Sequence, residues 1–99
     1  MYSYLLEELS KAIGARLLVQ FYYNDEIHVV EPHLLGRNHQ DEDCLCAWRI
    51  SKNGVNEEGW HCFNLTQMRQ TKLLDNRFSK KRPGYDPYNT AMTRVYYRI

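Results

Sequence analysis

Leu5, Leu6, Leu9, Ala12 and Ile13 recur at helical spacing and share one stripe. Ser3 is placed to cap such a helix, Glu7 and Glu8 sit in its early turns, and Gly14 fits the stop. One helix of about three turns is expected over 1–15. The period then changes from helical to alternating. Residues 16–23 are rich in strand formers, with Leu17, Val19, Phe21 and Tyr23 on one face and Leu18, Gln20 and Tyr22 on the other. Asn24, Asp25 and Glu26 signal a turn. A second strand follows over 27–35, with a bulge, an edge or a bend expected at Pro32 because proline has no N–H for a ladder. Gly36 to Asp43 reads as a polar loop, 44–50 as a third strand, and 51–59 as a hairpin loop around Asn53-Gly54. Residues 60–65 and 68–74 supply a fourth and a fifth strand. Five short strands behind one helix predict a mainly β fold, curved into a small barrel.

The stretch 75–99 breaks this pattern. Pro83, Gly84 and Pro87 exclude regular structure through its middle, while 93–99 regains strand character. An irregular C-terminal arm lying on the barrel is the expectation. The 99 residues then form a single domain, with a helix at 1–15, a barrel at 16–74 and an arm at 75–99. No apolar run approaches the roughly 20 residues that span a bilayer, and no secretory signal is visible at the start. A soluble cytoplasmic protein is expected, with no membrane partner.

Charge changes the picture more than composition does. The net charge is +1, but residues 1–66 carry five basic and ten acidic side chains, and residues 67–99 carry eight basic and two acidic. Such a split marks an anion or nucleic-acid contact at the basic end, or an attraction between the two parts within the fold or across a homodimer.

The three cysteines, Cys44, Cys46 and Cys62, are an odd number, which argues against a closed disulfide framework. In a reducing cytoplasm they are expected as thiols buried in the core. Zinc held by Cys44 and Cys46 with His61 or His33 is the alternative, although a one-residue spacing is short for a cysteine hook. No cofactor is expected.

Lys80, Lys81 and Arg82, followed by Tyr85 and Tyr88, form the strongest binding candidate: basic groups neutralise phosphates and aromatic faces stack on unpaired bases. Arg69, Lys72 and Arg77 lie nearby in sequence and widen the patch. The other reading is a solvated loop whose tyrosines cover the barrel's open end. Trp48-Arg49 and Trp60-His61 are placed to face one another across the hairpin, as core, as rim, or as a surface for a base or peptide. Glu31 and His33 share a face but have no nucleophile beside them, and a Glu31 that holds backbone or Arg37 is the plainer expectation. No hydrolase, zinc-protease, P-loop or dinucleotide motif occurs, so no enzyme is expected.

The order of features resembles a family. A helix ending in Lys11-Ala12-Ile13, a strand closing on Tyr22-Tyr23, and then Val30-Glu31-Pro32-His33-Leu34-Leu35 are similar to the opening of a WYL domain. Of the Trp-Tyr-Leu signature only Leu45 agrees, with Asp43 and Cys44 in the other two places. The family's Arg-x-Phe-x-Leu-x-Arg stretch keeps Phe63 and Leu65, with His61 and Gln67 in the arginine positions. Phe78 and the 83–87 segment are similar to the tails of single-domain relatives. The resemblance implies an SH3-like or Sm-like five-stranded barrel. It also implies a stand-alone sensor, or partner of a regulatory protein, in bacterial transcription regulation or defence, binding single-stranded nucleic acid or a nucleotide. His61 and Gln67 cannot reproduce an arginine fork, so the basic charge of any such site must come from elsewhere. A protein-interaction or dimerisation module is the competing expectation.

Overall fold

A computed structural model describes residues 3–79, 82–85 and 92–99. Helix α1 (Ser3–Ala15) leads into β1 (Leu17–Tyr23), β2 (Glu26–Asn38), β3 (Asp43–Lys52) and β4 (Val55–Asn64), then a 3-10 turn (Leu65–Gln67), β5 (Arg69–Arg77) and β6 (Met92–Arg98). The fold is mainly β. Among the described residues all pairings are antiparallel, in the order β4-β3-β2-β1-β5, with β6 added to β2, and the sheet path does not close.

The turns follow their local chemistry. Asn24 and Asp25 both adopt positive φ (53° and 61°), as do Asn53 and Gly54 (52° and 81°), which suits the right-handed twist of two-residue hairpins. The 51–59 loop is therefore only a two-residue turn, and β4 starts at Val55, five residues earlier than the pattern suggested. Gly14 does not stop the helix. Arg16 takes the left-handed position (φ 59°) one turn end later, and its backbone N–H and its guanidinium both donate to the Ile13 carbonyl, at 3.3 and 3.1 Å.

Pro32 sits where β2 changes neighbours. β1 pairs with β2 as far as Val30, and β6 takes over the same edge from Leu34. The missing N–H of Pro32 falls in the gap, and a bulge between Pro32 and Leu34 shifts the register with β3. The open edge at Leu34–Asn38 takes the end of the chain, where strand character is expected from the sequence: Met92–Arg98 fills that edge as a sixth strand, so the arm is regular there. The approach is close at Gly36, where the Arg94 carbonyl occupies the space a Cβ would need.

β2 is covered on both sides, and residues 30–36 are buried without alternation. On one side Leu9, Ala12 and Ile13 of α1 pack with Val19, Phe21, Val30, Leu35, Leu45, Phe63 and Leu65. On the other side lie His33, Leu34 and Phe78, under the strap of residues 82–85. No helix of the described residues is long and apolar enough to cross a membrane.

Candidate functional site

The second layer is where the distinctive chemistry collects. In the β3–β4 ladder Trp48 lies opposite Trp60, rings 5.6 Å apart and edge to face, and Cys46 lies opposite Cys62. Cys46 and Cys62 are joined as a disulfide. The expectation of three reduced thiols is corrected here: Cα atoms 4.1 Å apart on directly opposed positions bring the two sulfurs together. Cys44 alone is free, buried, with its Sγ 3.1 Å from the Asn38 amide nitrogen. Burial pushes the Cys44 thiol up. The zinc alternative loses its ligands on the same grounds, since Cys46 is bridged and both His33 nitrogens are occupied. Among the described residues no group of three metal-ligating side chains occurs.

Residues 82–85 are clamped across this layer. Arg82 donates from Nε and Nη2 to the two oxygens of Glu31, at 2.7 and 2.8 Å, and its guanidinium carbon stands 5.4 Å from the centre of the Trp48 ring. Glu58 sits 3.9 Å from Arg82 and accepts the Trp48 indole N–H at 3.1 Å. The Glu31 bond holds the Arg82 guanidinium above its ordinary range. The Arg82 backbone N–H donates to His33 Nε2 at 3.2 Å, while His33 Nδ1 donates to the Glu31 carbonyl at 2.7 Å. Those two bonds require the neutral ring, and burial, the leading cause, lowers the His33 pKa from 6.5. The Trp60 indole donates to the Pro83 carbonyl at 2.7 Å, and Tyr85 Oη donates to the Ile99 carbonyl at 3.0 Å. Gly84, at φ +83°, passes over Trp60, where an added Cβ would lie 3.2 Å from the indole nitrogen.

Beside the strap is a cavity of about 310 Å³, lined by Leu34, Cys46, Trp60, His61, Cys62, Gly84 and Tyr85. Its walls are aromatic. Trp60 and Tyr85 are near parallel (22°) with centres 6.1 Å apart, and His33 lies 4.9 and 5.3 Å from them. Burial, the leading cause, and the Arg49 charge lower the His61 pKa from 6.5, which favours the neutral ring at neutral pH.

The residues singled out from sequence thus divide. Trp48, His61, Arg82 and Tyr85 gather around the cavity and its strap. Gln67 and Arg69 line a separate 190 Å³ groove with Tyr22, Asn24 and Asp25. Lys72 and Arg77 are exposed on β5, paired with Gln20 and Leu17 of β1. Lys80, Lys81 and Tyr88 lie outside the described residues. Of the four basic residues that are described, Arg69, Lys72 and Arg77 are exposed on β5, and Arg82 turns its charge inward to Glu31. Glu31 binds Arg82 and not Arg37, which lies 3.7 Å from Asp43. Pairing of Arg82 with Glu31 and Glu58 joins the basic end to the acidic part within the fold. Residues that the sequence reading did not single out for the site are Leu34, Glu58, Pro83 and Gly84; the charge split was the one signal for an acidic partner. Comparisons of the chain with family models, with curated proteins and with solved structures find no match.

Proposed function

We propose that this chain is a regulatory domain of the WYL kind, an SH3-like or Sm-like barrel, and that its cavity binds one flat ring of a nucleotide or of single-stranded nucleic acid. The observation that carries the reading is the aromatic wall: Trp60, Tyr85 and His61 around a space of about 310 Å³. That volume is at the small end of ligand pockets, which run from about 300 to 1,000 Å³. Base stacking on such rings contributes about 1–3 kcal/mol per base and does not need a fixed charge. This matters because Arg82 is committed to Glu31. In this reading the ring gives recognition, Arg82 holds the strap that shapes the pocket, and Lys80 and Lys81, next to Arg82 in the chain, meet the phosphate.

Fluorescence anisotropy with labelled single-stranded DNA, single-stranded RNA and mononucleotides at about 50 mM salt tests it, since counterion release favours binding there. Trp60→Ala is expected to weaken binding about tenfold or more, in line with one lost stack. Arg69→Ala, in the other groove, leaves it unchanged. Absence of binding to every probe at that salt removes the reading.

A second reading rests on the strand path. β4 and β5 end it, each with one edge that carries no ladder among the described residues. Such edges accept a further strand from a partner polypeptide or a second copy. A stable homodimer by light scattering, together with no affinity for nucleic acid, favours this reading over the first.

A further inference from the structure

The floor of the cavity is a disulfide, and its two halves are unequally covered. Cys46, on the inner strand β3, is 5% exposed, whereas Cys62, on the terminal strand β4, is exposed. Both line the same opening with Leu34, Trp60 and Tyr85. Thiol–disulfide exchange needs a thiolate to reach one sulfur from outside, and access decides which sulfur is attacked. Cys44 is the one free thiol in the chain. It is buried, its Sγ is engaged by Asn38, and its burial favours the protonated form, so it is a poor internal attacker.

We propose that Cys46–Cys62 is a thiol-exchange site at which a low-molecular-weight thiol enters the cavity and becomes disulfide-linked to Cys62. The incoming thiolate sulfur forms a bond to Cys62 Sγ. The Cys46–Cys62 bond breaks, its electron pair leaves on Cys46 Sγ, and Cys46 takes a proton from water. The incoming thiol is oxidised to the mixed disulfide as Cys46 is reduced, so no further oxidant or reductant is needed. Trp60, Tyr85 and the 82–85 strap wall the opening, so the site takes a single slender thiol chain and excludes the bulky active-site surface of a protein dithiol. The product has a covalent ligand in the pocket and has lost its β3–β4 cross-link. The proposal does not depend on ring binding: mass reads this one and anisotropy the other.

The full chain, folded and oxidised, is incubated with reduced glutathione, trapped with N-ethylmaleimide and measured by intact mass and peptide mapping. The expected result is one glutathione on Cys62, one maleimide on Cys46 and neither on Cys44, with a change in Trp60 emission as the neighbouring disulfide opens. The rate is expected to rise about tenfold per pH unit below the thiol pKa of about 8.5, following the thiolate fraction. It is also expected to be insensitive to urea below the unfolding transition. Cys44→Ser retains the full adduct. The proposal is overturned by an adduct on Cys46, by reaction only in step with global unfolding, by loss of the adduct in Cys44→Ser, or by a thioredoxin-class dithiol opening the bond faster than glutathione at equal thiolate.

Discussion

His28 and His33 lie on the same strand, one in each layer of the molecule, and are treated in opposite ways. Both are sealed from solvent, at 4% and 0% exposure. His33 stands in the strap layer with both ring nitrogens bonded. His28 stands in the helix-side layer, stacked on Phe21 (13°, 5.6 Å) and edged by Tyr23 and Phe63; neither of its nitrogens reaches hydrogen-bond geometry among the described residues, although the Tyr23 backbone is near enough to raise its pKa against the stronger effect of burial. For both, burial is the leading cause that lowers the pKa. The comparison separates two ways of holding a fold together. The helix-side layer depends on apolar area and tolerates a polar ring without well-formed hydrogen bonds. The strap layer covers an irregular segment, 82–85, and each polar atom there fixes a piece of chain that propensity alone leaves undefined.

The largest effect is expected from the apolar side. Phe21→Ala removes the ring against which both His28 and Phe63 pack and should cost about 3–5 kcal/mol in urea unfolding. A loss under about 1 kcal/mol would mean that this layer is not the main core. Next comes the strap. Arg82→Ala leaves Glu31 buried without its partner and should cost about 2–3 kcal/mol, below the value of about 3–5 for a fully buried pair because Arg82 is a third exposed. Trp60 emission should shift to the red as Pro83 detaches, while the far-ultraviolet signal of the sheet stays. If both signals collapse together, the two layers are one cooperative unit. Gly84→Ala is expected to cost about 1–2 kcal/mol through its left-handed backbone and the crowding of Trp60, with the same local signature.

The histidines themselves give the smaller and sharper effects. His28→Phe removes two polar atoms without well-formed hydrogen bonds from an aromatic cage and is expected to stabilise by about 1 kcal/mol, whereas His33→Phe breaks the Arg82 bond and destabilises. Acid tests both at once. Each histidine binds its proton more weakly folded than unfolded, so the unfolded chain takes up more protons as pH falls through 6.5. Stability is therefore full above pH 6.5 and declines below it toward the folded-state values. Urea midpoints from pH 7.5 to 5 should show this, with a shallower decline in His28→Phe. An unchanged slope would show that His28 does not titrate with unfolding.

Much of the helix-side layer was legible in the sequence. Leu9, Ala12 and Ile13, and the alternating Val19 and Phe21, announce a helix and a strand by spacing alone, because one buried face imposes one period. Phe63 and Leu65 follow in the same way. The strap layer was half legible. Trp48 and Trp60 read as cross-hairpin neighbours, and Arg82 and Tyr85 as parts of one basic-aromatic segment with Lys80, Lys81 and Tyr88, but not as a strap over the tryptophans. The direction of the Arg82 charge was not legible, since its partner Glu31 lies 51 residues away. The disulfide was not expected because an odd cysteine count and a reducing cytoplasm both point to free thiols, although a ladder that sets Trp48 opposite Trp60 also sets Cys46 opposite Cys62. The Asn53-Gly54 turn alone sets Lys52 opposite Val55 and, carried down the ladder, would place Cys46 opposite His61. Between Ser51 and Arg49 the register slips, with Glu57 and Glu58 of β4 spanning Ile50 of β3, and Arg49 holds the bulge through the Glu57 carbonyl at 3.0 Å. That slip moves Cys62 opposite Cys46 and Trp60 opposite Trp48.

By itself the sequence determined the class of fold, the helix, the places of the first two hairpin turns and the apolar face, because each is a short-range matter of period, backbone φ and side-chain shape. Only the tertiary structure decided which strand fills the edge that β1 leaves open, which carboxylate takes Arg82, and which cysteines meet. Those outcomes depend on register and on packing between segments far apart in the chain, where a shift of a single residue turns every side chain to the other face.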